Sequence, residues 1–254
     1  MDLVMFGFLK KLKQAMFKKL CITILFLAGF FSSHAQSANE VVSRYIEFMG
    51  GEKRWKNVHT IVSTGTYNYG GMVFPFTTYQ KAPNRYKVVV PLHGKYFEQA
   101  FDGEKGWKID AFKNETKKTI LTGREAKALL NEADVELELP FINYGAKGHQ
   151  IILSGKDTVA GMLCYKVQLI RNDSTIETYF FNTTTYALLK KQALSKNPEL
   201  DKAMLDIYYS DYRFVNGIRF PFSIVTKTNG QPILKIKARK IVLNTAIADA
   251  AFKP

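Results

Sequence analysis

The sequence predicts a mainly β fold of the α+β class, in which one antiparallel sheet is combined with two helices. Three observations support this prediction. Runs of β-branched and aromatic residues alternate with turn signals about every 8–12 residues, as an antiparallel meander requires. One turn, Asn216-Gly217, carries the strongest short-range hairpin signal. Two other segments follow a helical period, and each begins with a capping box.

Residues 1–35 predict an export signal. Lys18-Lys19 precede the apolar run LCITILFLAGFF, and small residues before Ala35 are typical of a cleavage site. We expect the mature chain to begin at Gln36 and residues 1–15 to be an upstream extension from a misassigned start codon. A run of about a dozen apolar residues is short for a membrane span, and a retained anchor is the alternative. Because Gln36 stands where a lipidated signal needs Cys, we expect an exported protein without a lipid anchor, which the family resemblance described below would place in the periplasm.

The chain is strongly basic. It has 36 Lys and Arg residues against 22 Asp and Glu residues, a formal net charge of +14. Removing residues 1–35 takes away five Lys and one Asp and leaves 31 against 21, or +10. This surplus favours contact with an anionic membrane surface or an acidic partner, although a solvated surface without a partner is equally consistent. Export argues against nucleic acid as the partner.

The first helix is predicted after Ser37. The pattern Ser37-x-x-Glu40 is a capping box, apolar residues follow at helical spacing, and Gly50-Gly51 provides the stop signal. The second helix is predicted to begin at Thr122-x-x-Glu125 and to end before Pro140. Its predicted apolar face consists of Ala126, Leu129, Leu130 and Ala133. Both helices are expected to pack on the concave side of a curved sheet.

About 11–12 strands are predicted, within one large domain over residues 36–254. Cys164 lies in one of them and is expected to be a small buried hydrophobe, since no second mature cysteine is available for a disulfide. The predicted strands are His59–Asn68, Met72–Lys81, Arg85–Val90, Lys95–Phe101, Gly106–Phe112, Gln150–Lys156, Met162–Arg171, Ile176–Phe181, Ala187–Ser195, Met204–Val215, Ile218–Lys227 and Ile233–Leu243.

The hairpin around Asn216-Gly217 admits two registers. A two-residue turn pairs Val215 with Ile218 and places the aromatic residues of the two strands on opposite faces. A three-residue loop with Gly217 at positive φ pairs Phe214 with Ile218 and keeps them on one face. The second register is predicted, because it gives one continuous aromatic face for a core or a ligand to cover.

Recognisable catalytic chemistry is lacking in the sequence. His59, His93 and His149 lie far apart, and none forms a pair at metal-ligand spacing. Glu136 and Glu138 are close together, but their segment is typical of the solvent side of an extended strand. No nucleophile elbow or phosphate-binding loop is present. We therefore expect no catalytic residue, metal or cofactor; a hydrolase that uses these carboxylates or a histidine is the remote alternative.

Two motifs resemble those of a known family. The stretch Gln99–Trp107, QAFDGEKGW, resembles the (Y/F)-D-G-x-x-G-W signature of bacterial outer-membrane lipoprotein-sorting (LolA-like) proteins. The stretch Tyr209–Phe222, YSDYRFVNGIRFPF, resembles the S-D-Y…(D/N)-G-(I/V)-x-F-P hairpin of the same family. The pieces Tyr45–Gly51, Lys81–Arg85 and Asn229–Gln231 fit in the same order. The match covers nearly the whole mature chain and is most similar to divergent envelope members of the superfamily.

The resemblance implies an unclosed antiparallel β-barrel with helices over an apolar concavity. Family carriers move lipoprotein acyl chains through the periplasm from an inner-membrane transporter to an outer-membrane acceptor. The resemblance therefore implies a monomeric, soluble carrier for acyl chains of lipoproteins or similar lipids. The same fold also implies an alternative, an envelope-stress sensor. Carriers of the family are said to hold the lid with an arginine on an early strand, but His59–Asn68 contains no Arg.

Candidate ligand-binding residues follow from the resemblance and from the aromatic pattern. They flank the Asp102-Gly103 turn, follow the Asn216-Gly217 turn, line an early strand or form the lid face of the second helix. Ordinary packing between sheet and helix is the alternative for each of them. The candidates are Phe74, Phe76, Phe101, Trp107, Leu129, Leu130, Phe220 and Phe222.

Overall fold

One antiparallel sheet of thirteen strands dominates the structure. The predicted signal segment at residues 1–35, together with Glu136, Glu138 and part of the predicted second helix, lies outside the described residues. The computed structural model describes residues 37–254 except positions 124, 127, 131, 132, 134–138, 196–199, 201 and 202.

Helices and turns frame the strands. Helices α1 (Ala38–Phe48) and α2 (Glu52–Lys56) precede the sheet, and 3₁₀ turns occur at Ala111–Lys113 and Asp249–Phe252. The strands are β1 (Thr60–Tyr69), β2 (Met72–Lys81), β3 (Arg85–Leu92), β4 (Lys95–Phe101), β5 (Gly106–Ile109), β6 (Thr119–Ile120), β7 (Gln150–Val159), β8 (Met162–Ile170), β9 (Ile176–Asn182), β10 (Leu188–Leu194), β11 (Met204–Val215), β12 (Ile218–Thr228) and β13 (Gln231–Leu243).

The strands form two meanders that join in the middle of the sheet. Their order is β6-β5-β4-β3-β2-β1-β13-β12-β11-β10-β9-β8-β7, with antiparallel neighbours throughout. Strand β13 returns to pair with β1, where Ile61 lies opposite Leu243. Within the described residues β6 and β7 do not pair with each other, so the barrel is unclosed. The predicted fold class is therefore confirmed.

The strand count differs slightly from the prediction. Strand β6 has two residues, Thr119–Ile120, which is too short to show an alternating pattern. The predicted strand Gly106–Phe112 ends at Ile109, because the chain then enters the 3₁₀ turn Ala111–Lys113. These two differences lie at one edge of the sheet.

The predicted register of the β11–β12 hairpin is wrong. Val215 pairs with Ile218 across a two-residue turn, in which Asn216 and Gly217 have φ values of 49° and 80°. Positive φ at both positions defines a type I′ turn, whose twist matches that of the strands, and Asn-Gly adopts it readily. Phe214 consequently lies opposite Arg219 and is 61% exposed, whereas Phe220 on the other face is buried. The predicted continuous aromatic face is not formed.

The tip of this hairpin is hydrogen-bonded to the end of α1. The backbone N–H of Arg219 donates to the Met49 carbonyl at 3.0 Å, and its guanidinium donates to the Phe48 carbonyl at 2.9 Å. These bonds satisfy helix carbonyls that have no intrahelical partner. Gly50 has φ 112°, and a Cβ there would lie 2.5 Å from the Gly217 carbonyl oxygen. The predicted stop at Gly50-Gly51 is thus confirmed, and the close approach requires glycine.

The main core lies between α1 and the second meander. The N-cap Ser37 accepts a hydrogen bond from Glu40 N at 3.1 Å, as predicted for the start of α1. Tyr45 of α1 is buried, and its ring centroid lies 4.8 Å from that of Phe181 on β9. On β8, Cys164 is fully buried, as predicted.

A smaller core lies under the predicted second helix. Among its described helical residues, Leu129 and Ala133 are each 1% exposed, and they pack with Tyr86, Phe101 and Leu121. Leu130 is 41% exposed. The predicted apolar face is therefore wrong for Leu130, because consecutive helical residues point about 100° apart and Leu130 cannot share the face that buries Leu129.

Candidate ligand-binding cavity

Both meanders of the sheet contribute to one large cavity on its concave side. The cavity has a volume of about 690 Å³, within the range of about 300–1,000 Å³ that is usual for small-molecule sites. Its lining comes from α1, α2, the strands β1–β4 and β9–β13, and the segment Leu139-Pro140. Because strands far apart in the sheet order face the same space, the sheet curves around it.

The lining is predominantly hydrophobic and aromatic. Apart from Ser63, Thr78, Gln80, Glu177 and Lys191, its residues are apolar or aromatic. The aromatic members are Tyr45, Trp55, Tyr67, Phe76, Tyr86, Phe97, Tyr179, Tyr209, Tyr212, Phe220 and Phe222, and the aliphatic members include Met49, Ile61, Val88, Val90, Leu188, Leu205, Ile207, Ile224, Leu234, Ile236 and Ile241.

Contacts between neighbouring elements hold several of these aromatic rings in place. The rings of Trp55 and Phe220 lie 5.2 Å apart between centroids, and Trp55 Nε1 donates to the Met49 carbonyl. The Tyr212 hydroxyl donates to the Leu188 carbonyl at 2.8 Å. Rings that are fixed in this way present apolar surface and keep the cavity open.

Tyr209 and Tyr212 both line the cavity, and the backbone between them is irregular at Asp211. Strict alternation along β11 would place residues three positions apart on opposite faces. Asp211 has φ 55°, in the left-handed region that aspartate tolerates better than most residues. We therefore attribute the shared orientation of the two tyrosines to this residue.

A charged cluster occupies one wall of the cavity. Glu177 on β9 is 1% exposed and accepts hydrogen bonds from three side chains. Arg171 donates to Oε2 from Nε at 3.1 Å and lies 3.0 Å away through Nη2, and the Tyr179 hydroxyl donates to Oε2 at 2.9 Å. Lys191 Nζ lies 2.9 Å from Oε1. The carboxylate is therefore fully engaged, as a buried charge must be.

The pairing of β8, β9 and β10 explains why Arg171, Glu177 and Lys191 meet. Lys191 on β10 lies directly opposite Tyr179 on β9, and Glu177 is two residues from Tyr179 on the same face. Glu177 pairs with Leu169 on β8, and Arg171 is two residues beyond Leu169. The period of two therefore brings all three charged side chains to one face of three adjacent strands.

The cations decide the protonation of Glu177. Burial alone would raise its pKa, but the charges of Lys191 and Arg171 and the hydrogen bonds from Lys191 and Tyr179 lower it from 4.5 to about 2. Tyr179 shows the opposite effect: burial and the nearby Glu177 carboxylate raise the pKa of its hydroxyl. The cluster is therefore a carboxylate with two cations, and Tyr179 acts as a neutral donor.

Three of the eight predicted site residues lie in the cavity lining. Phe76, Phe220 and Phe222 line it from β2 and β12. Their ligand binding stays a prediction.

The other five predicted residues lie outside the lining. Phe74 packs with the lining residues Phe76 and Val90 and with the ring of Phe112, 5.3 Å away between centroids, and Phe101 packs with Leu129 beneath the second helix. The indole N–H of Trp107 donates to the Phe252 carbonyl at 2.7 Å, so the ring lies under the C-terminal turn. Leu130 is exposed. Tyr86 belongs to both the Leu129 cluster and the lining, which places that helix beside the cavity.

The first family-like motif, Gln99–Trp107, has a structural task. In the Asp102-Gly103 turn, Asp102 Oδ1 accepts from the backbone N–H groups of Glu104 and Lys105 at 2.9 and 2.7 Å. Burial opposes ionisation of Asp102, but these backbone donors prevail and lower its pKa. Gly103 has φ 104°, which favours glycine. The motif therefore builds the β4–β5 turn rather than a ligand contact.

Sequence reasoning missed Glu177, Lys191, Tyr209 and Tyr212 as lining residues. The alternation Glu177-Thr-Tyr179-Phe-Phe181 was an available signal, since a carboxylate on the apolar face of a strand needs a buried partner. Nothing local distinguishes Lys191 from its neighbour Lys190. Only the pairing of β9 with β10 assigns Lys191 to the cavity.

The described residues provide no arrangement suited to metal binding. No group of three or more His, Cys, Asp and Glu residues in the described part of the chain could hold a metal ion. His59 and His93 are exposed, and His149 Nδ1 accepts a hydrogen bond from Asn172 N at 3.2 Å. No described helix is long and apolar enough to cross a membrane.

Comparison with solved structures identifies the fold. A LolA superfamily protein from Nitrosomonas europaea has a TM-score of 0.56 at 12% identity, and the match covers 87% of this chain and 99% of that one. This chain has the LolA-like fold. A domain named for outer membrane lipoprotein sorting, from Vibrio parahaemolyticus, matches at a TM-score of 0.55 and 10% identity, over 84% of this chain and 94% of that one.

A protein of the DUF1329 family is also structurally similar to this chain. A DUF1329 family protein from Desulfovibrio piger has a TM-score of 0.57 at 13% identity, over 85% of this chain and 97% of that one. No family model and no curated protein matches the sequence. At these identities, the likeness to the matched structures concerns the fold alone.

Proposed function

We propose that this chain is a non-catalytic periplasmic carrier that binds acyl chains of lipoproteins or similar lipids. The observation that supports the proposal is the cavity of about 690 Å³ with its nearly continuous apolar lining inside a LolA-like sheet. Burying one CH₂ group is worth about 0.8 kcal/mol, so a fourteen-carbon chain in water is unfavourable by roughly 11 kcal/mol. A carrier has to offset most of this unfavourable free energy by burying the acyl chain against its own apolar surface.

The partners follow from the same proposal. An inner-membrane transporter would supply the lipid and an outer-membrane acceptor would receive it. The basic surplus suits a carrier that visits anionic membrane surfaces. Export of the mature chain from Gln36 is part of the proposal, and fractionation of cells together with N-terminal sequencing tests it.

The first test is whether lipid co-purifies with the protein. The chain is purified without detergent and extracted with organic solvent, and the extract is analysed by mass spectrometry. The expected result is lipid with acyl chains in a stoichiometric amount. An extract without lipid, together with no uptake of added fatty acid, contradicts the proposal.

Matched variants show whether the ligand occupies this cavity. Ile224 lines it, whereas the next residue on β12, Val225, lies outside its lining, and both are partly exposed. Ile224→Trp adds bulk inside the cavity and should weaken binding about tenfold or more, since it displaces several buried methylenes. Val225→Trp should leave affinity within about twofold. Equal effects of the two substitutions would place the ligand elsewhere.

A further inference from the structure

The charged cluster in the cavity has one cation more than its carboxylate can neutralise. Glu177 supplies one negative charge, while Arg171 and Lys191 supply two positive charges. Among the described residues that line the cavity, Glu177 and Lys191 carry a charge. The cluster is therefore a positive site on an otherwise apolar wall, where low polarity strengthens its attraction for an anion.

Arg171 and Glu177 have an evident structural task. Arg171 N donates to the Thr175 carbonyl at 2.9 Å in the β8–β9 turn, and Ser174 N donates back to the Arg171 carbonyl at 2.9 Å. The guanidinium then contacts Glu177 Oε2 on the returning strand, at 3.0 and 3.1 Å. This pair fixes the β8–β9 hairpin, so both its charges are accounted for by the fold.

Lys191 is not needed for that task. It comes from β10, and its side chain is 13% exposed at the cavity wall. An ammonium group has three N–H donors, of which Glu177 Oε1 accepts one. Lys191 shares the stabilisation of the Glu177 carboxylate with Arg171, but unlike Arg171 it lines the cavity. Its other N–H donors at the cavity wall suit recognition of a ligand.

The surroundings of Lys191 fit an amphiphile. Ile207 on β11 lies directly opposite Lys191, and both line the cavity. Leu188 and Ala193 on its own strand also line it. The hydroxyl-bearing side chains of Tyr179 and Tyr209 line the cavity as well. A head group at Lys191 would thus have polar neighbours while an attached chain contacts apolar surface.

We propose that Lys191 binds the anionic head group, a carboxylate or a phosphate, of a lipid whose acyl chain occupies the cavity. The inference depends on the proposed lipid binding and adds a preference for anionic over neutral head groups. The ammonium acts as a point charge for either anion, and the bound anion balances the excess charge of the cluster.

The test compares three ligands that share a twelve-carbon chain: dodecanoate, dodecyl phosphate and 1-dodecanol. Each displaces a fluorescent apolar dye from the purified chain at neutral pH. Lys191→Met removes the charge and keeps much of the side-chain volume. Lys190→Met is the matched control, because Lys190 is 15% exposed on the same strand, lies outside the cavity lining and pairs with Asp206 instead.

Lys191→Met should weaken binding of dodecanoate and dodecyl phosphate by about tenfold to a hundredfold, the usual worth of a hydrogen bond to a charged group. Binding of 1-dodecanol should change by less than about twofold. Lys191→Arg should retain the preference for anions, and Lys190→Met should affect none of the three ligands. A larger loss for one anion than for the other identifies the head group that fits better.

Two results would overturn the inference while leaving the proposed function intact. In one, Lys191→Met binds dodecanoate and dodecyl phosphate as tightly as the unmodified chain. In the other, it loses affinity for 1-dodecanol to the same extent, which would mean that the substitution damages the cavity itself. If the unmodified chain binds none of the three, the proposed function fails and the inference fails with it.

Discussion

Glu177→Gln should remove a large part of the stability of the protein and change how that stability depends on pH. The Glu177 carboxylate is 1% exposed and contacts two cations and the Tyr179 hydroxyl. The substitution leaves Arg171 and Lys191 without their counter-charge. Removing one partner of a buried charge pair usually costs about 3–5 kcal/mol, so a loss of at least about 3 kcal/mol is expected at pH 7.

The pKa of Glu177 gives a second estimate of the stability that its carboxylate contributes, and the direction in which that stability changes with pH. Its pKa is lowered from 4.5 to about 2 in the folded protein, against the opposing effect of burial, by Lys191 and Arg171. At about 1.36 kcal/mol per pKa unit, this shift corresponds to about 3 kcal/mol. A lowered pKa stabilises the fold above pH 4.5, where the carboxylate is ionised in both states. The contribution is lost as the pH falls from about 4.5 to about 2, because the unfolded chain binds the proton first.

Urea unfolding measured at several pH values tests both the expected loss of stability at pH 7 and its expected dependence on pH. Trp55 and Trp107, the tryptophans of the chain, are 4% and 1% exposed, so unfolding should shift their fluorescence strongly. Glu98→Gln is the control, since Glu98 is paired with Lys87 at 2.9 Å but its side chain is 22% exposed. Partly exposed pairs contribute little, and a loss below about 1 kcal/mol is expected. Parallel stability curves for the unmodified protein and Glu177→Gln between pH 5 and pH 2 would refute the reasoning.

Two further predictions concern packing. Leu129→Ala should lower the free energy of unfolding by about 2–5 kcal/mol, because the side chain is 1% exposed and packs against Tyr86 and Phe101. Leu130→Ala should change it by less than about 0.5 kcal/mol. Chemical denaturation of the two variants measures both values, and equal losses of stability would contradict the assigned helix face. Cys164 is fully buried, and burial raises the pKa of its thiol. A thiol reagent at pH 8 should therefore modify Cys164 slowly in the folded protein and quickly in urea. Fast labelling of the folded protein would show instead that the thiol is accessible.

The fold was largely predictable because its signals are local. Ser37 and Gly50-Gly51 mark the ends of α1 through capping and positive φ, and both need only neighbouring residues. Strands such as Met72–Lys81 and Lys95–Phe101 follow from β-branched and aromatic runs between turns. Strand β6 was missed because two residues cannot show a period.

The cavity was predictable only in part, because it depends on pairing between distant strands. Phe220 and Phe222 follow a strong turn signal and alternate on one face of β12, which is why they could be found. Trp107 follows an equally clear signal, but its indole is held by the C-terminal Phe252, 145 residues along the chain. Lys191 and Arg171 are two among 31 basic residues of the predicted mature chain, and no local pattern distinguishes them.

The error in the β11–β12 register shows how the aromatic lining is built. A continuous aromatic face would need Phe214 on the side of Phe220, but the type I′ turn at Asn216-Gly217 leaves Phe214 exposed. Alternation alone would also separate Tyr209 from Tyr212. Asp211, at φ 55°, compensates by interrupting the alternation, so both tyrosines line the cavity. Leu205, Ile207 and Tyr209 line the cavity by plain alternation along β11, whereas the place of Tyr212 beside them is attributed to the left-handed Asp211, which strand periodicity cannot reveal.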